Sequence, residues 1–456
     1  MRGWTCRIAL LGSGLAALAV LPGCADGPSL PNIGELNPFA EKQVPLPGKR
    51  IPVMQQKNTV TGELAEASAP IIVPPAQYNQ DWSQPGGSPN NALGHLAFSG
   101  AASEVWRVDA GTGSGSSGRV TASPIVYGDL IFVLDAESQV SALSTAGGKV
   151  AWRGSLKPDR ENASGAWYSL GSSSEKGGYG GGLAIDQGRL YAASGFGNVV
   201  ALDPVSGKKL WERQLEAPVR ASPTAAGGNV YVVTLDGRFY CLAGADGGVL
   251  WSARGLPQQA SLINNASPAV EGSVVAVPYP SGDLVALNVA DGSTAWSENL
   301  ARTRTTSQIS SMSDAARPAI SGGIVFAVGH AGRMIATNAE TGERMWSLNV
   351  PGIQPPWVAG EYVFVVDVSG QLLAISKPSG KILWTVKLPE SRWAGPVLAG
   401  GTLWLASAQG TLLGVDAASG RTTVEKKIGT PVYVAPIVAQ SRMYVLTDEA
   451  ELIALN

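Results

Sequence analysis

The sequence predicts an all-β fold: an eight-bladed β-propeller with four antiparallel strands per blade, the last blade closed by the N-terminal strand. Three observations predict it. A tryptophan signature recurs at blade-like intervals, a strand centred on a small residue recurs eight times, and an unmatched tryptophan strand stands in front of the array.

The first signature is Gly, three residues, Trp. It appears as Gly148-Lys149-Val150-Ala151-Trp152 and Gly207-Lys208-Lys209-Leu210-Trp211. It recurs at Gly247 and Trp251, Gly292 and Trp296, Gly342 and Trp346, and Gly380 and Trp384. A seventh copy keeps Gly420 but has Val424 where the tryptophan belongs. Successive tryptophans are 59, 40, 45, 50 and 38 residues apart, periods typical of solenoids and propellers. Before each signature runs a strand of the type Val200-Ala201-Leu202, whose middle residue is small, with Cys241 in that slot in one copy. A proline, at 124, 223, 268, 318, 356, 396 and 436, opens seven of the units; the second unit lacks it and has Gly181-Gly182 nearby. Turns such as Asp236-Gly237 and Asp291-Gly292 separate the strands, glycine permitting the positive φ that tight hairpins require. Four strands per unit make one propeller blade. The outer-strand tryptophan is expected to cover the gap between neighbouring blades, and the small residue to sit where blades crowd.

The blade count follows from the two ends. The last unit stops at Asn456 after its third strand, while Glu104-Val105-Trp106-Arg107-Val108 is a tryptophan strand with no unit of its own. Pairing the two closes a ring of eight and removes the open sheet edges of a linear stack.

Ahead of the propeller, assigned to 96–456, the chain reads as an address and a tether. Arg2 and Arg7 precede an uncharged stretch from Ile8 to Leu21, the length of a secretory h-region and too short to span a bilayer. Leu21-Pro22-Gly23-Cys24 resembles a bacterial lipobox, so residues 1–23 are expected to be a lipoprotein signal peptide and Cys24 the lipidated residue. Ala25 follows the cysteine, where aspartate marks inner-membrane retention; the lipoprotein rule therefore points to the periplasmic face of the outer membrane. Residues 24–95 are Pro-rich without a sustained period and read as a lipid-anchored linker, parts of which are free to lie on the propeller surface. With Cys6 in the signal and Cys24 lipidated, Cys241 is left alone and no intrachain disulfide is expected.

Enzyme signatures are weak. A net charge of −2 does not suit a sequence-independent grip on nucleic acid. Residues 113–118 satisfy G-x-G-x-x-G, but no helix pattern follows, so the stretch reads as a loop. His95 lies in the linker stretch and His330 in a turn, with no zinc-site spacing between them. Cys241 fills a packing slot otherwise held by alanine, and the tryptophans hold repeat positions. The insertion at 155–182, with Trp167, Tyr168 and Tyr179, is the largest loop and a candidate binding element. No catalytic residue, metal ligand or cofactor is expected.

Ala201-Leu202-Asp203-Pro204-Val205-Ser206-Gly207-Lys208-Lys209-Leu210-Trp211 is similar to the repeat of pyrroloquinoline-quinone-type propellers. Joined to the lipobox and eight units, the chain resembles the BamB family of outer-membrane β-barrel assembly lipoproteins, in particular its alphaproteobacterial branch. That likeness rests on Trp82-Ser83-Gln84-Pro85-Gly86-Gly87, Ala266-Ser267-Pro268-Ala269-Val270, Val277-Pro278-Tyr279, Ala327-Val328-Gly329-His330-Ala331-Gly332 and Trp393-Ala394-Gly395-Pro396-Val397. The resemblance implies a non-catalytic scaffold, monomeric within a hetero-complex. It binds the POTRA domains of BamA and other assembly subunits, and helps nascent outer-membrane proteins fold and insert. It also implies a contact built from a Leu-x-Leu-Arg stretch and a pair of acids. Here the first reads Ala260-Ser261-Leu262-Ile263 and the second Ser313-Asp314-Ala315-Ala316. Leu262, Ile263 and Asp314 are therefore the expected partner-binding residues, with the arginine and the second acid replaced. The competing reading is a quinoprotein dehydrogenase-like enzyme on the same repeats.

Overall fold

The computed structural model describes residues 71–116, 118–158, 180–255, 266–279, 281–300, 315–330 and 332–456. Among them are 32 strands and no helix, arranged as eight four-stranded antiparallel sheets. This is the eight-bladed propeller expected from the repeats.

Blade 1 shows the logic. Its strands β2 (Ile125–Tyr127), β3 (Leu130–Leu134), β4 (Gln139–Ser144) and β5 (Val150–Ser155) lie in sequence order from the axis outward. Sandwiched between neighbouring blades, β3 and β4 are buried on both faces. They therefore read as continuous apolar runs instead of alternating ones. Only the outer strand β5 is largely solvated.

The repeat signatures are a docking joint. In every blade the small residue of the third strand lies opposite the fourth-strand signature position. Ala142 faces Trp152, Ala201 faces Trp211, Cys241 faces Trp251 and Ala454 faces Trp106. A β-bulge follows or adjoins the pair and turns the outer strand. The indole then reaches the next blade. Trp152, Trp211, Trp251, Trp296, Trp346 and Trp384 donate through Nε1 to backbone carbonyls there at 2.8–3.2 Å. Each indole lies against the turn glycine of that blade. At Gly292, φ is +72° and a Cβ would stand 2.3 Å from the Trp251 ring. The signature glycine is thus required both for its backbone conformation and for the approach of the neighbour's tryptophan.

Val424 now has a reason. A tryptophan on blade 7 would dock on the third-to-fourth-strand turn of blade 8, and that turn does not exist. The eighth sheet is β30 (Ile437–Ala439), β31 (Arg442–Leu446), β32 (Glu451–Leu455) and, from the front of the array, β1 (Glu104–Asp109). β1 pairs antiparallel with β32, Trp106 opposite Ala454 and Asp109 opposite Glu451. Backbone bonds between Ser103 and Asn456 extend the pairing. In blade 2 Leu183 holds the proline position, and the residue before it is glycine for a steric reason: a Cβ on Gly182 would fall 1.8 Å from Ser222 Oγ of the next blade.

Ring closure leaves one set of edges uncovered, the innermost strand of each blade facing the axis. Residues 79–96 cover them in a single lap. Asn79 bonds Val438 and Gln440 of blade 8, and Trp82 exchanges two backbone bonds with Val126 of blade 1. Ser83 accepts from Ile185 of blade 2, and the Gln84 amide pairs with the backbone of Ala225 in blade 3 at 2.8 and 3.1 Å. Pro89 and Asn90 accept from Val270 and Ile320 of blades 4 and 5. Gly94 accepts from the Trp357 indole of blade 6, and Leu96 pairs with Leu398 and Gly400 of blade 7. Trp82, 2% exposed, stacks on Trp357 with centroids 6.2 Å apart. This strap satisfies inner-edge groups that would otherwise be orphaned at the axis.

Candidate partner-binding face

The strap sits at one end of the axis, beside the hairpins that join first and second strands. Asp81 accepts from Gly128 in the blade 1 hairpin, and His95 Nε2 accepts from Gly401 in that of blade 7. Nδ1 of His95 therefore carries the proton and donates to the Pro74 carbonyl at 2.6 Å. His95 is 8% exposed and pins the strap; both its ring nitrogens are engaged, so it is not available as a base.

The opposite end carries the second-to-third-strand turns and the connections between blades. Here lies a cleft of about 370 Å³, lined among others by His330, Ile353, Asp367, Arg392, Trp393 and Tyr433. It spans the loops of blades 5 to 8. Ile353 and Tyr433 are 38% and 51% exposed, and Arg392 is exposed beside them. Asp367, although buried, is committed to its turn: one carboxylate oxygen accepts from the amides of Ser369 and Gln371 at 2.9 and 2.7 Å. Asp135 holds the corresponding turn of blade 1 through Glu137 and Gln139. Such Asx turns account for these buried acids without any reaction. What the cleft offers is a mixed apolar and cationic surface with two large side chains exposed, suited to contact with another chain.

Among the described residues no group of three or more His, Cys, Asp or Glu side chains is arranged to hold a metal ion. No described helix is long and apolar enough to cross a membrane. Residues 113–116 and 118 form a loop between blades, Ser114 binding Asp448. Cys241 occupies the packing slot expected for it, fully buried. Burial pushes its thiol up to about 11, and a bond with Tyr231 only partly opposes this. The thiol therefore stays protonated at neutral pH, and thiolate is the reactive form. In a Cys24→Ala chain lacking the signal, Cys241 is expected to resist a disulfide-exchange reagent at pH 7.5 in the native state. It should titrate as one thiol per chain in denaturant; rapid native-state labelling would contradict this burial.

The partner-binding residues expected from the sequence, Leu262, Ile263 and Asp314, lie outside the described residues, as do Cys24 and most of the 155–182 insertion. Leu262 and Ile263 fall between β13 (Val249–Arg254) and β14 (Ala269–Glu271), and Asp314 between β17 (Thr294–Asn299) and β18 (Ala319–Ile320). These are connections between consecutive blades. Sequence reasoning missed the cleft, whose residues come from five separate loops, and it missed the strap. The motif from Trp82 to Gly87 was the available signal for the latter.

A family model described as outer membrane protein assembly factor BamB matches residues 94–167, 159–386 and 368–456. The chain belongs to the BamB family. BamB of Burkholderia pseudomallei is 26% identical over 45% of this chain and 48% of its own length. An uncharacterized protein of Rickettsia conorii is 28% identical over 38% of this chain and 39% of its own, in keeping with the alphaproteobacterial branch. The matches thus span under half the length of these curated relatives. Among solved structures, BamB of Moraxella catarrhalis has a TM-score of 0.64 at 17% identity, covering 78% of this chain and 99% of that one. A quinohemoprotein alcohol dehydrogenase of Comamonas testosteroni has a TM-score of 0.66 at 14% identity, over 83% and 81%. At these identities both likenesses concern the fold alone, and BamB membership rests on the family match.

Proposed function

We propose that the chain is a non-catalytic scaffold subunit of the machinery that assembles β-barrel proteins in the outer membrane. In this reading Cys24 carries the lipid and holds the chain at the periplasmic face of the outer membrane. The propeller docks on the POTRA domains of BamA through Leu262, Ile263 and Asp314, and nascent barrel proteins are its clients. The observation that carries the reading is the BamB family match along the whole propeller. The cleft face supports it, since exposed Ile353 and Tyr433 suit a protein partner. The quinoprotein alternative has only the shared fold in its favour. One end of the axis is moreover filled here by the chain's own strap and the Trp82–Trp357 stack.

The test is co-purification from detergent-solubilised membranes. The anchored protein should bring BamA with it, and Cys24→Ala should release the chain from the membrane fraction. Leu262→Asp puts a charge where the reading needs an apolar contact. It should weaken BamA binding at least about tenfold in calorimetry, equivalent to about 1.4 kcal/mol. Unchanged affinity would reject this placement of the interface, and absence of BamA from the purified material would reject the function.

A further inference from the structure

We propose that the inner ends of blades 4 and 5, beside the strap, bind a small oxyanion, a phosphate or carboxylate group, with Arg317 as its cationic partner and Ser267 as a hydroxyl donor. The site arises from the repeat itself. In blades 1, 3, 4 and 5 the residue before the opening proline is Ser123, Ser222, Ser267 and Arg317. These equivalent positions lie side by side around the axis. Ser222 Oγ stands where a Cβ of Gly182, the corresponding residue of blade 2, would be. Blades 6 to 8 carry uncharged residues at this position, so Arg317 is the one charged residue among hydroxyl-bearing and small ones.

Two atoms of the ring lack partners. Ser267 is fully buried and its Oγ makes no hydrogen bond; Arg317 Nε is buried and likewise unpaired among the described residues. They belong to adjacent blades whose first strands touch. Next to them, Asn91 of the strap donates to the carbonyls of Pro268 and Pro318, at 3.3 and 2.9 Å. Burial alone moves the Arg317 guanidinium down to about 10, with no carboxylate acting on it. It remains a cation at neutral pH. Buried polar groups in native proteins are normally paired, and a half-buried cation such as Arg317, without a counter-charge, is the costlier case. A trapped water would satisfy the serine but leave the charge uncompensated. An oxyanion satisfies both, because guanidinium presents forked donors matched to carboxylate and phosphate.

The test uses the full chain in detergent and a zwitterionic buffer free of other oxyanions, titrated with inorganic phosphate in one arm and acetate in the other. Sodium chloride at equal ionic strength serves as the reference. Saturable heat in at least one arm is expected, and the stronger arm assigns the group. Arg317→Gln should lower that affinity at least about tenfold and Ser267→Ala about threefold, as expected for loss of a charged and a neutral hydrogen bond. Thermal unfolding supplies the independent readout. The binding anion should raise the midpoint of the native chain over chloride and leave that of Arg317→Gln unmoved. If Arg317→Gln does not fold, Arg317→Lys, which keeps the charge, carries the comparison and should bind more weakly than the native chain. No saturable binding in either arm, or equal affinity in the substituted chain, overturns the proposal.

Discussion

Replacing Trp82 with alanine should destabilise the propeller by about 3–5 kcal/mol, the range for emptying a large buried aromatic site. The residue is 2% exposed and stacked at 18° on Trp357. Its backbone is bound on both sides to Val126, so the chain cannot withdraw to fill the space. A Cβ at Gly87 would lie 3.3 Å from the indole, which shows how closely the strap folds over it. The indole Nε1 has no partner among the described residues, so the loss is one of packing and not of a hydrogen bond. Trp82→Phe should therefore recover a large share of the stability. Denaturant unfolding followed by circular dichroism reads both variants. A midpoint for Trp82→Ala equivalent to less than about 1 kcal/mol would mean the strap is a passenger on the axis.

Ending the chain after Ala450 should abolish the soluble folded monomer. The truncation removes β32, whose Leu452, Ile453, Ala454 and Leu455 are fully buried. At about 1.5–3 kcal/mol for each large aliphatic side chain, the three longest together contribute on the order of 5–9 kcal/mol. That is comparable to the whole net stability of a typical domain, about 5–15 kcal/mol. β1 and β31 would in addition each lose their pairing partner, leaving two unpaired edges that invite association with other chains. Size-exclusion chromatography should show aggregate in place of monomer. A monodisperse truncated protein with native circular dichroism would show that closure by β1 is dispensable.

The ring was legible because its physics is local and repeated. A tryptophan must face a small residue on the adjacent strand and a glycine on the next blade, and those constraints recur in the sequence at fixed spacing. The orphan Trp106 strand was legible for the same reason. Even Val424, the exception, marks the one junction without a turn to receive an indole. The strap was not legible. It forms neither helix nor sheet ladder, so no period of 3.6 or 2 arises. Its bonds go one at a time to the edges of eight different blades, through residues such as Gln84, Asn91 and His95. Those polar side chains read as solvated linker, yet they are 1%, 6% and 8% exposed. The cleft was hidden because five loops distant in sequence build it. Leu262, Ile263 and Asp314 came from resemblance alone, since no periodic constraint acts on connections between blades.

The lap made by residues 79–96 also dictates an order of events. The strap, made before any blade, finds its most distant partners near the end of the ring, as the bond from Asn79 to the Val438 carbonyl illustrates with a separation of 359. An open repeat array can gain structure outward from any point; here the earliest portion must wait for the final turn of the ring before it can settle. Maturation is consequently a late, all-or-nothing event, slow for a chain dominated by such distant pairings, and a protein interrupted near its end forfeits its beginning as well.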